Sequence, residues 1–304
     1  MALTDAARGR LRGDLALLLI TAVWGGTFVL VKDSLDQADP FTFLTLRFSL
    51  GALAAAAIAR GDLWHKPSVR YGLLLGVFLF LGYALQTTGL QHTTPSRSAF
   101  ITGMTIVLVP FVSIVLFKRL PRIPSLLGVG LAVLGLYWLT LAEGAASTSG
   151  TLRGDLLTFG CTVAYAFHIA WNERLAPKAK VMAMVTVQLT VVAVLSALCL
   201  PLLEVRLVWN PTLLWGVVFT GLFASTLAIG VQTWGQARTT AVRAALIFSL
   251  EPVFAALYSV AVGREALGRR ELVGGGLIIF GVAVAEVGNA LWDRWLVRQA
   301  GKSG

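Results

Sequence analysis

The stretch that decides the fold is Arg12–Lys32, RGDLALLLITAVWGGTFVLVK. A charged tripeptide opens it, a long uncharged run follows, and Lys32 closes it, with Trp24-Gly25-Gly26 in the middle. Since about 20 apolar residues cross the hydrocarbon core of a bilayer, we predict a transmembrane helix here. A cleaved secretory signal is the alternative, because Arg8 and Arg10 add basic charge upstream. No small-residue cleavage pattern ends the apolar run, which argues against cleavage.

The rest of the chain has the same apolar character. It holds 304 residues, of which 57% are hydrophobic and 13% are charged. Soluble domains carry roughly 25% charged residues, so the composition predicts a polytopic membrane protein. The net charge of +10 does not indicate nucleic-acid binding, because the basic residues lie in the gaps between apolar runs, where they set topology. Cys161 and Cys199 fall inside apolar runs and are interpreted as small core residues.

Ten apolar runs are long enough to span a bilayer. They cover residues 14–32, 41–59, 71–91, 98–117, 125–142, 154–172, 182–203, 212–235, 241–262 and 271–292. A cytoplasmic N-terminus places 17 of the 25 lysines and arginines in inner segments and 7 in outer ones, with Arg47 inside the second run. The positive-inside rule therefore predicts that both termini are cytoplasmic.

The chain also contains an internal repeat. RGDL returns at Arg153–Leu156, an offset of 141 residues, which aligns Tyr165 with Trp24. Further along, Leu85–Ala99 matches Val231–Ala245 at an offset of 146 residues. We therefore divide the chain into a first five-helix repeat (1–142), a linker (143–152) and a second five-helix repeat (153–304). Because five is odd, the second repeat is predicted to enter the membrane inverted, as in alternating-access transporters. A duplication without a transport role is the alternative.

Four segments carry a resemblance to a known family. They are AVWGGTFVLVK in the first run, FTFLTLRF in the second, GLQHTTPSRSAFITG entering the fourth, and ARTTAVRAALIFSLEPVFAAL followed by GREAL in the ninth. The chain resembles the drug/metabolite transporter superfamily, specifically its ten-helix EamA-type carriers. The resemblance implies a monomeric or weakly associated exporter of small metabolites in the bacterial inner membrane. Amino-acid exporters, including aromatic ones, are among the bacterial members. The chain departs from the family at Lys118-Arg119, where the family has Gly-Glu.

Two charged residues inside apolar runs are candidates for substrate contact. Arg47 could face a substrate carboxylate, although an arginine in a span can also snorkel or bind backbone carbonyls. Glu251 could bind a substrate amino group or take up a proton, with a structural pairing to Arg47 or to a hydroxyl as the alternative. Pro252 cannot donate to the carbonyl of Phe248, which leaves that acceptor free. Pro252 and Pro110 are the predicted helix-break residues.

Aromatic and amide side chains complete a predicted central cavity. Trp24 and Tyr165 offer flat apolar walls, and His168 is interpreted as either a packing residue or a proton relay. Gln86 and Gln232 are repeat mates that could hydrogen-bond an amino acid, or join helices at about 1 kcal/mol. The predicted substrate-binding residues are Trp24, Gly25, Arg47, Tyr83, Gln86, Tyr165, His168, Gln232, Phe248 and Glu251.

These features predict an all-α integral membrane protein with ten transmembrane helices in two inverted five-helix repeats. We find no HExxH, no GxSxG and no acid cluster for a metal, so we predict neither an enzyme nor a metal or cofactor site. The predicted function is export of amino acids or related small metabolites from the cell by alternating access, with the bilayer as the surrounding medium. A multidrug or lipid-type carrier is the alternative, and an intramembrane enzyme ranks last.

Overall fold

The computed structural model describes residues 5–93, 95–118, 120–140, 151–202, 204–261 and 268–300, so most of the predicted linker at 143–152 lies outside the described residues. Regular structure in these ranges is helical, apart from one isolated bridge between Ala38 and Leu207. The first half contains α1 (Asp5–Leu35), α2 (Pro40–Ala59), α3 (Lys66–Gln91), α4 (Pro95–Gly103), α5 (Thr105–Phe117) and α6 (Ile123–Thr140). The second half contains α7 (Thr151–Leu175), α8 (Val181–Cys199), α9 (Pro211–Phe219), α10 (Ala228–Gln236), α11 (Ala241–Phe248), α12 (Glu251–Ala261) and α13 (Arg269–Ala300).

Most of these helices suit a membrane interior. Eight helical stretches among the described residues are long and apolar enough to cross a bilayer, and Ile123–Trp138 is a shorter apolar helix. Large side chains such as Leu53, Phe111 and Phe280 are exposed on the outer surface of the bundle, where lipid would cover them. The α7 helix is not among the eight, because polar residues such as His168 and Asn172 reduce its hydropathy. The all-helical membrane class is therefore confirmed, whereas the count of ten spans stays a prediction.

Close contacts between glycines of α6 and α13 join the two halves of the chain. A Cβ atom added to Gly128 would lie 2.6 Å from the carbonyl oxygen of Gly281, and one added to Gly135 would lie 2.6 Å from that of Gly274. Contacts that pair an early residue of α6 with a late residue of α13 mean that these two helices run antiparallel. Small residues at such crossings let the backbones approach, which drives helix association where no hydrophobic effect acts.

A second type of glycine contact occurs twice. Each RGDL segment packs one glycine against a glycine in the other half of the chain. Gly13 of the first RGDL packs against Gly235 of α10, so that a Cβ atom added to Gly13 would lie 3.1 Å from the Gly235 carbonyl oxygen. Gly154 of the second RGDL packs in the same way against Gly89 of α3, at 2.9 Å. Gly89 and Gly235 are themselves repeat mates at the offset of 146. Each RGDL segment is thus held by the opposite half of the chain.

The helix pairs α4–α5 and α11–α12 are each separated by a short break, and the two breaks lie at matching positions of the repeat. Between α4 and α5 the amide of Met104 donates to the carbonyl of Ile101, at 3.1 Å. Between α11 and α12 the amide of Leu250 donates to the carbonyl of Ile247, also at 3.1 Å. Met104 and Leu250 differ by the repeat offset of 146, so the same tightened turn breaks both paths.

This geometry corrects the prediction of a helix break at Pro110. Pro110 lies inside α5, six residues after the break at Met104. A proline in a helix removes one hydrogen bond, but the helix can continue where neighbouring helices hold it. Pro252, by contrast, is the second residue of α12 and follows the other break directly, at a position where its missing N–H costs little.

Candidate functional site

A cavity of about 90 Å³ lies in the middle of the bundle, between the two helix breaks. That volume is several times the roughly 10–15 Å³ that one water molecule requires. Its lining comes from both halves of the chain, and Val31 and Leu90 show that it extends toward the ends of α1 and α3. Nine of the ten predicted substrate-binding residues line this cavity: Trp24, Arg47, Tyr83, Gln86, Tyr165, His168, Gln232, Phe248 and Glu251.

The tenth residue, Gly25, does not line the cavity. A Cβ atom on Gly25 would lie 2.8 Å from the carbonyl oxygen of Glu251 and 2.9 Å from the amide nitrogen of Ala255. Gly25 therefore lets α1 approach the backbone of α12, at the helix start that carries Glu251. In the structure Gly25 helps to position a cavity residue, and its direct contact with a substrate stays a prediction.

Arg47 is held inside the bundle by side chains and does not snorkel to the surface. Only 3% of the residue is exposed, and its Nε donates to the hydroxyl of Ser225 at 2.9 Å. The guanidinium carbon lies 4.7 Å from the ring centroid of Tyr83 and 5.0 Å from that of Phe48. Aromatic faces attract a desolvated cation, so these rings stabilise the charge without neutralising it.

Glu251 presents its carboxyl group to the same cavity from the opposite half of the chain. It is partly buried and begins α12, next to the break at Leu250. Among the described residues its carboxylate has no hydrogen-bond or ion-pair partner, and Arg47 is not paired with it. The structure therefore does not contain the alternative that the sequence left open, a pairing of Glu251 with Arg47 or with a hydroxyl.

An aromatic wall lines the same cavity as Arg47 and Glu251. The rings of Trp24 and Phe248 meet edge-on with centroids 5.4 Å apart. Tyr83 and Tyr165 are arranged in the same way at 5.6 Å. Such edge-to-face pairs fix ring orientation, so they give the cavity a rigid apolar surface.

The amide and imidazole groups of the site differ in whether their hydrogen-bonding atoms have partners. Gln86 donates to Thr102 Oγ1 at 3.1 Å and accepts from the Tyr165 hydroxyl at 3.3 Å. His168 shares a hydrogen bond of 2.8 Å with Gln188, the repeat mate of Arg47. The Oε1 atom of Gln232 is buried and has no partner among the described residues. Gln86 and His168 are therefore held in place by neighbours, whereas Gln232 keeps an acceptor available to a ligand.

A π-helical segment, Thr220–Leu227, is the part of the site that the sequence did not reveal. Its Ala224 carbonyl accepts from Trp24 Nε1 at 3.0 Å, and its Ser225 hydroxyl accepts from Arg47. A π turn leaves carbonyl groups displaced from the normal ladder, which is why such segments occur at functional sites. The equivalent residues of the first half, Leu74–Leu81, lie in the regular helix α3, so the repeat gave no signal for it. The small and polar residues of TGLFASTL were the one hint available.

The described part of the chain gives no sign of a metal centre. No group of three or more histidine, cysteine, aspartate or glutamate side chains lies together in the described ranges. The polar part of the cavity lining consists of one arginine, one glutamate, one histidine, amides and hydroxyl groups, and aromatic rings supply much of the apolar part. That set can bind a small polar molecule through opposite charges and an apolar surface.

Comparison with known proteins gives consistent results along the whole chain. Residues 11–141 and 152–286 each match the profile of the EamA-like transporter family. An uncharacterized transporter of Archaeoglobus fulgidus is 33% identical over 91% of this chain and 87% of its own length. The uncharacterized inner membrane transporter YedA of Escherichia coli K12 is 24% identical, with 91% of each chain covered. A probable amino-acid metabolite efflux pump of Salmonella typhimurium is 28% identical over 90% of this chain and 93% of its own.

The fold is also similar to that of a solved structure. A crystal structure superposes with a TM-score of 0.75 and 22% identity, covering 92% of this chain and 96% of the other. At that identity the likeness concerns the fold alone.

Proposed function

The chain belongs to the EamA-like transporter family and is a multi-pass transporter of the inner membrane, and from that premise we propose that it exports amino acids or related small metabolites. Export proceeds by alternating access between the two halves of the chain. The protein functions as a monomer with ten spans and cytoplasmic termini. Its small-molecule substrate binds in the central cavity.

The observation that carries this proposal is the pair of separate ionisable side chains, Arg47 and Glu251, in the cavity. Arg47 and Glu251 line the same space from different halves of the chain and are not bonded to each other. An amino acid carries a carboxylate and an ammonium group on adjacent atoms. The carboxylate suits the guanidinium, which forms bidentate hydrogen bonds with planar anions. The ammonium suits the glutamate carboxylate, and Gln232 Oε1 adds a neutral acceptor.

The aromatic wall supports a substrate that also has an apolar part. The rings of Trp24, Phe248, Tyr83 and Tyr165 line the same cavity as Arg47 and Glu251. A multidrug or lipid-type carrier has no need of a buried guanidinium group in its cavity, so Arg47 counts against that alternative. The Salmonella relative is named as a probable amino-acid metabolite efflux pump, which agrees with the proposed substrate class.

Alternating access is supported by contacts that repeat between the halves. The glycine contacts of the two RGDL segments recur under the repeat, and so do the helix breaks at Met104 and Leu250. Inverted repeats give two arrangements of similar energy that open a central site to opposite sides. The breaks lie beside the cavity, where a change of helix direction would alter access to it.

Recognition of a carboxylate by Arg47 gives a direct test. In Arg47→Gln, we expect the dissociation constant of a transported amino acid to rise at least about tenfold, which corresponds to about 1.4 kcal/mol. The loss of one charge-assisted hydrogen bond accounts for this effect. Binding is measured by calorimetry on the purified protein with amino acids and with the amines that lack their carboxylates. We expect the affinity for the amines to be nearly unchanged by the substitution.

Arg70→Gln is the matched control, because Arg70 is exposed and does not line the cavity. Thermal unfolding of each variant verifies that the fold is retained. If the wild-type protein bound the amines as tightly as the amino acids, the carboxylate would contribute nothing. That result would favour a carrier of organic amines or drugs.

A further inference from the structure

The central cavity extends further toward one end of the bundle than toward the other. The internal repeat provides the reference for this comparison, because each lining residue of α1 has a mate in α7 at the offset of 141 residues. Near the middle of the bundle, both members of a pair line the cavity. Three pairs do so: Trp24 and Tyr165, Thr27 and His168, and Phe28 and Ile169.

About one helical turn beyond these pairs, the two halves of the chain differ. Val31 of α1 lines the cavity, whereas its mate Asn172 of α7 does not. Leu90 of α3 lines it, whereas its mate Gln236 of α10, at the offset of 146 residues, does not. The predicted topology puts Val31 and Leu90 toward the outside of the cell and their mates toward the cytoplasm. The cavity therefore extends outward and ends before the inner pair.

A hydrogen bond joins the two inner residues at which the cavity ends. The Nδ2 atom of Asn172 donates to Oε1 of Gln236 at 2.8 Å, and Nε2 of Gln236 donates to the carbonyl of Ile169 at 3.1 Å. Both side chains are buried. Ile169 itself lines the cavity, so these bonds fasten α10 to α7 at its inner end. The outer mates, Val31 and Leu90, have no polar side-chain atoms and cannot form an equivalent bond.

A second cavity, of about 410 Å³, lies beyond this hydrogen bond. Glu173, which follows Asn172, lines the second cavity, and so does Thr239, three residues after Gln236. Ile169 lines the central cavity and Glu173 the second one, so about one turn of α7 separates the two spaces. The hydrogen bond between Asn172 and Gln236 thus lies in the barrier between the two cavities.

Unsatisfied polar atoms in this barrier favour a second, solvated arrangement. The Oδ1 atom of Asn172 and the Oγ1 atom of Thr233 are buried and have no hydrogen-bond partner among the described residues. Burial of such atoms is unfavourable, and water would satisfy them if α7 and α10 moved apart. Thr87, the mate of Thr233, already lines the central cavity. The repeat therefore predicts that Thr233 lines the cavity in the inverted arrangement.

We propose that the hydrogen bond between Asn172 and Gln236 is the inner gate of the central cavity. It is closed in this structure, and it breaks when the cavity opens toward the cytoplasm and the bundle closes around Val31 and Leu90. This inference rests on the proposed transport by alternating access, and it identifies the side chains that hold one of the two states.

The test compares the accessibility of two cysteines that are mates in the repeat. Thr233→Cys reports on the inner side of the cavity, and Thr87→Cys reports on the outer side. A membrane-impermeant methanethiosulfonate reagent is added to inverted membrane vesicles for the first and to spheroplasts for the second. Peptide mass spectrometry assigns each label to its residue, so the native Cys161 and Cys199 can stay in the chain.

Gln236→Met removes the hydrogen bonds of the gate and nearly preserves the shape of the side chain. In the closed state it leaves Nδ2 of Asn172 buried without an acceptor, so the population of the open state increases. We expect the labelling rate of Thr233→Cys to rise at least about threefold, an effect of the size that interhelical hydrogen bonds produce. The labelling rate of Thr87→Cys should not rise, because opening toward the cytoplasm closes the outer side.

Asn172→Leu breaks the same bond from the other helix and should give the same result, which keeps the test decisive if Gln236→Met does not fold. Asn289→Leu is the matched control at the same end of the bundle. It removes a buried amide whose Nδ2 donates to the Ser125 hydroxyl at 2.9 Å, a bond that joins α13 to α6 and not α7 to α10. The labelling rate of Thr233→Cys should not change in this control.

Two results would overturn the proposal. One is a labelling rate of Thr233→Cys that is the same with and without the hydrogen bond of the gate, in folded protein. The other is an equal rise for Thr233→Cys and Thr87→Cys, since general loosening of the bundle would expose both.

The labelling assay measures no transport, so its failure can be told apart from failure of the proposed function. Gate opening without amino-acid export would contradict the proposed function alone. Export of amino acids without the expected labelling would contradict the gate alone.

Discussion

Replacing Glu251 with glutamine is expected to lower the export rate for amino acids at least about tenfold while the fold is retained. Glutamine has nearly the same shape, so the substitution removes the charge and little else. A charge-assisted hydrogen bond from an ammonium group contributes about 1.5–3 kcal/mol, which corresponds to tenfold or more in affinity. No neighbouring group replaces that charge, because Glu251 has no bonded partner among the described residues. The rate is measured in proteoliposomes that contain equal amounts of folded protein.

Glu204→Gln is the matched control for this prediction. Glu204 is exposed, lies in the segment before α9 and does not line the central cavity. We expect its export rate to equal that of the wild type. If the export rate of Glu251→Gln equalled that of the wild type, Glu251 would have only a packing role.

Gly25→Ala is expected to destabilise the protein and to reduce export strongly. The added Cβ would lie 2.8 Å from both the carbonyl oxygen of Glu251 and the Cβ of Phe254, and 2.9 Å from the amide nitrogen of Ala255. These are backbone atoms or atoms fixed to the backbone, so no side-chain rotation relieves the overlap. The helices α1 and α12 must move apart, and overpacking of this kind costs about 1–3 kcal/mol. The movement also displaces Glu251 at the edge of the cavity.

Gly26→Ala supplies an internal control one residue away. The nearest atom to its added Cβ would be in the ring of Tyr258, at 3.7 Å, an ordinary van der Waals distance. Because alanine favours a helix over glycine by roughly 0.5–1 kcal/mol, this variant should be as stable as the wild type or more so. Thermal unfolding compares the two. Equal melting temperatures for Gly25→Ala and the wild type would show that the close contact between α1 and α12 does not exist.

Much of the site could be predicted from the sequence, because charged residues in apolar runs are rare and the repeat aligns the halves. Arg47 and Glu251 stood out for that reason, and the alignment linked Trp24 to Tyr165 and Gln86 to Gln232. All six line one cavity. The family resemblance drawn from the sequence motifs is confirmed by the profile match over both halves.

What the sequence could not specify has a common physical origin in backbone geometry. Proline is the residue that a sequence offers as a helix breaker, yet the helical path through α4 and α5 breaks at Met104 and continues through Pro110. The matching break at Leu250 shows that the repeat, and not the proline position, determines where the paths are interrupted. Gly25 was recognised as a point of close approach, but the sequence could not specify whether a ligand or a helix approaches it.

The sequence also could not reveal hydrogen bonds between residues that are far apart in the chain. Ser225 binds Arg47 across 178 positions, and Ala224 binds Trp24 across 200. Both contacts depend on the π-helical segment Thr220–Leu227, whose repeat mates Leu74–Leu81 lie in the regular helix α3. Tertiary packing fixes such a segment, and the local residue pattern resembles that of any apolar helix.

Export from proteoliposomes tests the central claim most directly. Vesicles containing the purified chain are loaded with a panel of labelled amino acids, and the release of each is compared with release from protein-free vesicles. We predict that at least one amino acid leaves at a rate that saturates with its internal concentration. Release of every panel member at the protein-free rate, from protein shown to be folded, would contradict the account.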